Sequence, residues 1–176
     1  MDFENKIISR EVSQLLWEME KTVGTAESCT GGRIAEAIIS VPGSSKYFKG
    51  GIVCYVDEIK ERLLGVDPQL LADQGAVCEE VAVSLVKGAC ATLNTDYALA
   101  STGFAGPTGG DHGIPVGTIW IACGSADEVV TVKLTEDFGR DINLAIATSK
   151  ALQLFLDFLA KHLPAKSDDD AAQTVE

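Results

Sequence analysis

The chain has 176 residues, 46% of them apolar, with 14 basic and 26 acidic side chains and a formal net charge of -12. That length and apolar share suffice for one domain with a full hydrophobic core. The acidic balance argues against a nucleic-acid or anionic-membrane surface, which needs a basic footprint.

Ile7, Ile8, Val12, Leu15, Leu16 and Met19 recur at helical spacing and predict an amphipathic helix over residues 5–20. A short strand follows at 22–26. The polar, small-residue turn Glu27-Ser28-Cys29-Thr30-Gly31-Gly32 then enters a second helix whose apolar face carries Ile34, Ala35, Ile38 and Ile39. Pro42-Gly43-Ser44-Ser45 breaks that helix. Residues 51–56 are rich in strand formers. Asp57 reads as the N-cap of a helix carrying Lys60, Leu63 and Leu64, which Gly65 closes. A further helix covers about 79–93 and a buried strand 97–101, followed by a glycine-rich loop over 102–115. Two strands, 118–123 and 129–134, precede a long helix from Arg140 to about His162 that stops at Pro164. The remaining 164–176 tail, with Asp168-Asp169-Asp170, lacks apolar periodicity and reads as disordered. Helices interleaved with strands predict a single three-layer α/β/α domain over 1–163 with a central mixed sheet. Strand order is not legible.

Cys29, Cys54, Cys78, Cys90 and Cys123 are scattered and odd in number, which reads as buried thiols. No spacing matches a metal-ligand set, so no metal is expected. His112 and His162 lie far apart and read as solvated surface residues, which disfavours a Ser-His-Asp triad. The first residues, Met1-Asp2-Phe3-Glu4, lack a signal-peptide pattern, and no apolar run reaches membrane-spanning length. A soluble, cytoplasmic protein without a membrane or nucleic-acid partner is expected.

Small residues bunch at strand ends over 27–32, 43–45 and 102–110, where open α/β sheets bind ligands. The first loop enters a helix, so it is either an anion cradle using Ser28 or Thr30, or simply an N-cap on a buried helix. The third, Thr102-Gly103-Phe104-Ala105-Gly106-Pro107-Thr108-Gly109-Gly110, is neither GxGxxG nor a P-loop. A serine activated by a lysine, with a tyrosine relaying the proton, is the remaining nucleophilic route. The literal S-x-x-K, Ser84 to Lys87, lies mid-helix as a surface pair. The better set is Ser45, Tyr55 and Lys60, with Tyr55 and Lys60 on one rim. The bland alternative makes Tyr55 a core aromatic and Lys60 a surface charge.

Taken in order, these segments resemble the CinA C-terminal-domain family. Ala26-Glu27-Ser28-Cys29-Thr30-Gly31-Gly32 is similar to its AESCTGG signature, and Gly43-Ser44-Ser45 through Gly51 to its GSS-aromatic-F-x-x-G segment. Tyr55, Lys60 and Leu64-Gly65-Val66 match its Y-x-x-x-x-K-x-x-x-L-G-V run, and Gly75-Ala76-Val77 with Glu79 its GAVSE. The loop from Thr102 to Gly110, with Pro115-Val116-Gly117-Thr118, matches its TGIAGPxGG and PVGT. Stand-alone members are nicotinamide-nucleotide amidohydrolases, which convert nicotinamide mononucleotide and water to nicotinate mononucleotide and ammonia. The resemblance implies Ser45 as nucleophile, Lys60 as base and Tyr55 as relay. It implies a substrate pocket drawn from Ser28, Thr30, Gly31, Gly32, Thr102, Gly103, Ala105, Gly106, Gly109 and Arg140. It implies no cofactor, a small-molecule nucleotide substrate, and a homo-oligomer.

The sequence departs from that pattern at Cys54 and Val56, which flank Tyr55 where Thr and Ser are usual, and at Cys78 in place of serine. Leu144 and Ala145 stand where the family often has a further arginine. The competing expectation is therefore a catalytically silent, nucleotide-binding paralogue.

Overall fold

The computed structural model describes residues 3–163. The element order is α1 (Phe3–Glu18), β1 (Val23–Glu27), α2 (Arg33–Ile39), a 3-10 turn (Ser44–Lys46), β2 (Phe48–Val53), α3 (Asp57–Leu64), α4 (Pro68–Gln74), α5 (Glu79–Leu93), β3 (Tyr97–Gly103), a second 3-10 turn (Asp111–Gly113), β4 (Ile119–Gly124), β5 (Val129–Leu134) and α6 (Arg140–Lys161). The predicted stop at Pro164 and the 164–176 tail lie outside the described residues.

The sheet runs β2-β1-β3-β4-β5, parallel across the first three strands and antiparallel across the last three. It is the expected mixed sheet. Its two faces carry different side chains because alternate strand residues point opposite ways. Tyr97, Leu99, Ile119, Ile121 and Cys123 pack with buried residues of α1, α2 and α6. Ala98, Ala100 and Ala122 face α3, α4 and α5, where small side chains let α5 lie close to the sheet. The length and apolarity of α6 equal those of a membrane span. Its buried row, including Ala147, Ala151, Leu152, Phe155 and Leu159, is spent on the core instead.

Three local expectations need correction. Strand β2 starts three residues earlier than predicted, because the Tyr47 carbonyl accepts from the Val23 amide and begins the ladder. Gly50, before the expected start, and Gly51, at it, both sit inside the strand. A Cβ on Gly51 would collide with the Thr25 hydroxyl of the neighbouring strand. Val56, not Asp57, is the N-cap of α3, and no side chain caps it. The missed helix, α4, had a legible start: Pro68 holds its first position and the Asp67 side chain accepts from the Gln69 amide at 2.9 Å.

The beginnings of β1 and β3 are clasped together. Asp96 accepts from the Thr22 amide and hydroxyl at 2.8 Å each, and from Lys21 Nζ at 3.0 Å. Burial pushes the Asp96 carboxyl up, but the Thr22 amide, the Lys21 ammonium and the Thr22 hydroxyl outweigh it and hold it below the ordinary aspartate value of 3.8. A depressed carboxyl stabilises the fold fully above its unfolded value and loses that contribution as pH falls through the folded one. The group is half-buried and screened, so Asp96→Ala should cost about 1 kcal/mol at pH 7. Urea unfolding at pH 7 and at about pH 3 should show the difference from wild type shrinking in acid.

Candidate active site

A cavity of about 350 Å3 opens at the carboxyl ends of the parallel strands. Ser28 and Cys29 reach it from the end of β1, and Tyr55, Asp57 and Lys60 from the segment after β2. Thr102, Gly103, Phe104 and Ala105 reach it from β3, residues 74–77 from the end of α4, and His112 and Arg140 from across the mouth. Parallel strands that end together and feed small-residue loops form such a crevice by topology.

The floor is fixed by Glu27, only 1% exposed at the end of β1. Its Oε2 accepts from the Thr30 hydroxyl at 2.7 Å and from the amides of Gly32 and Ile34 at 3.0 Å each. Its Oε1 accepts from the Ala35 amide at 2.8 Å. These are the orphan donors of the first turn of α2. The turn that aims them needs left-handed backbone at Gly31 and Gly32, at φ of 60° and 100°. The first loop is thus the helix cap, not an anion cradle: the chain's own carboxylate occupies the anion position. Thr30 is correspondingly withdrawn from the cavity, bonded to Glu27 and, at 2.6 Å, to the Ser101 hydroxyl. Gly31 and Gly32 shape the turn without lining the cavity.

Lys60 and Tyr55 invert the bland expectation. Lys60 is 1% exposed, while Tyr55 is 60% exposed at the rim. The cause is the docking of α3 on α5: a Cβ at Gly88 would strike the Leu64 carbonyl, so only glycine permits the approach. That approach buries Leu64 and the Lys60 stem in one layer. Lys60 Nζ lies 3.0 Å from Asp57 Oδ1, and Asp57 itself stays half in solvent. Asp57 therefore serves as the charge partner of Lys60, a role its reading as an N-cap had hidden.

The glycine-rich loop is pinned from α6. Arg140 Nη1 donates to the Gly106 carbonyl at 2.9 Å, and Asn143 Nδ2 donates to the Ala105 carbonyl at 3.0 Å. Gly106 and Gly109 give this loop its left-handed turns, at φ of 90° and 128°, and neither lines the cavity. A Cβ on Gly103 would stand 2.7 Å from the Thr118 carbonyl, which explains glycine there. The Thr102 hydroxyl donates to the Ala76 carbonyl at 2.7 Å, so its proton is committed to the scaffold. His112, read as solvated, lines the cavity and lies over Gly75 at the end of α4. Sequence reasoning missed Asn143 as well. Its signal was a polar side chain in the first turn of an otherwise apolar helix, here 3% exposed.

Ser45 is not brought to this cavity by its own chain. It is exposed in the 3-10 turn before β2, beside the start of β1. Tyr55 and Lys60 follow the other end of β2. Six extended residues separate the two ends, about 20 Å at 3.3 Å per residue. The expected grouping of Ser45 with Tyr55 and Lys60 fails within one chain because β2 carries the backbone the full height of the sheet. Ser28, 8% exposed, is the serine that the chain itself places in the cavity wall with Lys60. Ser84 is outside, its hydroxyl donating to the Glu80 carbonyl within α5.

Cysteine is a poor nucleophile here. Burial pushes the Cys29 thiol up to about 11, opposed in part by the Ser101 hydroxyl. Burial likewise pushes Cys54 up to about 11, opposed in part by the Lys60 charge. Both are thiols at neutral pH. Iodoacetamide at pH 7.5 should therefore alkylate Cys29 and Cys54 only slowly in the folded protein, and quickly in urea, as peptide mass mapping will show. Rapid folded-state labelling of either would mean an activated thiolate. For the floor, Glu27→Ala should destabilise by about 3–5 kcal/mol, since it strands several buried donors at once. Thermal unfolding measures this, and Glu27→Gln should recover only part, because its amide nitrogen meets donors.

The CinA C-terminal domain family matches residues 5–159. The nicotinamide-nucleotide amidohydrolase PncC of Escherichia coli K12 is 42% identical over 160 residues, covering 90% of this chain and 97% of that protein. A CinA-like protein of Shewanella piezotolerans is 43% identical over 157 residues, covering 86% of this chain. This chain spans only 37% of that longer relative. The crystal structure of the competence/damage-inducible protein CihA from Agrobacterium tumefaciens superposes with a TM-score of 0.86 at 31% identity, covering 91% of this chain and 98% of that one. With the family matched along nearly all of the described residues, the chain belongs to the CinA C-terminal domain family.

Proposed function

We propose that this chain hydrolyses the carboxamide of nicotinamide mononucleotide, releasing ammonia and nicotinate mononucleotide, by serine–lysine–tyrosine chemistry in the cavity around Lys60. The observation that carries this reading is the burial of Lys60 beside an exposed tyrosine in a cavity at strand ends. A lysine removed from water in a cavity wall, with the Asp57 carboxylate 3.0 Å from its nitrogen, is placed to exchange protons with a bound substrate. The similarity to the E. coli amidohydrolase along nearly its whole length supplies the substrate.

In this mechanism the serine Oγ attacks the carboxamide carbon while the Lys60 amine takes the hydroxyl proton. The proton passes to the amide nitrogen, with Tyr55 as relay, the C–N bond breaks and ammonia leaves. Water then attacks the acyl ester by the same route, freeing the serine and the nicotinate product. Arg140, which reaches the glycine-rich loop from the start of α6, and the Ala105 to Gly110 segment hold the ribose phosphate. Ser45 is the nucleophile that the resemblance implies. Ser28 is the second reading, favoured by its place in the cavity wall. Five unpaired cysteines suit a reducing compartment, which supports a cytoplasmic location.

Ammonia release from nicotinamide mononucleotide, read by a coupled assay, tests the proposal. Lys60→Met should lower kcat by about 10^3-fold or more. Lys60→Arg should not rescue it, because guanidinium does not yield its proton. Tyr55→Phe should cost about 10- to 100-fold, since water can replace a relay hydroxyl. Saturable nucleotide binding without ammonia would identify a silent paralogue instead. An active Lys60→Arg protein would reduce Lys60 to a charge.

A further inference from the structure

We infer that Asn143, which does not itself line the cavity, positions Arg140 for the ribose phosphate and so sets how strongly the site prefers a nucleotide to the nucleoside. The inference rests on the reading above in which Arg140 holds that phosphate.

Arg140 does not stand where helix stability would put it. It is the first residue of α6, and a guanidinium at a helix N-terminus opposes the helix dipole. Its side chain is long and loses rotamer freedom when it is held in one place. The Gly106 carbonyl takes its Nη1 at 2.9 Å, which turns the rest of the fork toward the cavity that Arg140 lines. That aim is fixed only while the glycine-rich loop and the first turn of α6 keep their separation.

Asn143 sets the separation. It is buried one turn after Arg140, and its amide group joins three segments. Nδ2 donates to the Ala105 carbonyl at 3.0 Å and to Asp137 Oδ1 at 2.8 Å, so both of its protons are committed. Oδ1 accepts from the Phe138 amide at 2.9 Å. One turn of α6 thereby grips two successive carbonyls of the loop, Ala105 through Asn143 and Gly106 through Arg140.

Asp137 completes the brace. Its Oδ1 also accepts from the Gly139 amide at 2.9 Å, just before the helix begins. The Asn143 side chain and the Gly139 amide hold the Asp137 carboxyl below the ordinary aspartate value of 3.8, so the acceptor is ionised at neutral pH. The other members of this buried helix row, Leu144 and Ala147 among them, are apolar. An apolar side chain at 143 would serve the core equally, but it would leave the Ala105 carbonyl without its donor.

Calorimetric titration with nicotinate mononucleotide and nicotinate riboside, the product with and without its phosphate, tests this without turnover. Arg140→Ala and Asn143→Ala should each weaken the nucleotide about 10-fold or more and the riboside less than about two-fold. The double variant should be no weaker than Arg140→Ala alone, because the asparagine acts through the arginine. With nicotinamide mononucleotide as substrate, Asn143→Ala should raise KM by a similar factor and leave kcat nearly unchanged. Equal losses for both ligands, losses that multiply in the double variant, or a fall in kcat at unchanged KM would overturn the positioning role. If Asn143→Ala does not fold, the exposed Asp137 takes its place. Asp137→Ala should weaken the nucleotide selectively, whereas Asp137→Asn keeps the acceptor oxygen and should not. Two Asp137 variants that behave alike would overturn the brace. A wild type that holds the nucleotide no better than the riboside would remove the phosphate role of Arg140 and this inference with it. Selective, coupled binding in a wild type that releases no ammonia would remove the proposed reaction and leave the positioning standing.

Discussion

The Glu27 carboxylate is the point on which the site's construction depends. A buried acid at the end of the central parallel strand must find donors, and the first turn of a short helix has donors with no acceptor. Joining the two satisfies both and fixes the direction in which α2 leaves the sheet. It also fixes everything that the intervening turn carries. Ser28 is held at the cavity wall, Thr30 is drawn into the interior, and Ser101 of β3 is tied in through the Thr30 hydroxyl. The conspicuous acid of the motif is therefore structural, and the polar groups around it divide into those that hold the turn and those left to face a ligand.

A second constraint sets the electrostatics of the cavity. In a strongly acidic chain, Lys60 and Arg140 are basic side chains brought to one cavity, each held by a different device. Lys60 is buried because α3 lies against α5 at Gly88, and among the described residues its head group pairs with the half-exposed Asp57. Arg140 is oriented by the Gly106 carbonyl, so its guanidinium sits on the loop that closes over the strand ends. An interior lysine and a loop-bound arginine place two basic groups for different jobs, one in a dry wall and one at a wetter mouth.

The sheet gives the molecule two unlike ends. Loops after β1, β2 and β3 converge on the cavity, while the Thr22–Asp96 clasp and the turn with Ser45 occupy the opposite end. The clasp holds β1 and β3 in register from below, so the loops above them meet at fixed separation. Rigid strands with committed hydrogen bonds at one end are what let small-residue turns at the other keep a defined geometry.

Local chemistry was legible in the sequence. Apolar periodicity located α5 at 79–93 and β5 at 129–134 as observed, and Gly65 closes α3 in the left-handed conformation that its residue type suggests. The ordered motifs indicated the family and part of the cavity wall: Ser28, Tyr55, Lys60, Thr102, Gly103, Ala105 and Arg140 line it. What the sequence did not determine were relations between elements. The burial of Lys60 depends on a helix contact 28 residues away at Gly88, and the exposure of Tyr55 on where an edge strand stops. The separation of Ser45 from Lys60 depends on the height of β2, since a short sequence distance that crosses a sheet becomes a long spatial one. Periodicity and turn chemistry act over a few residues, so they fix the elements. Strand order, helix docking and the burial of a charge are settled only when the whole chain competes for one interior.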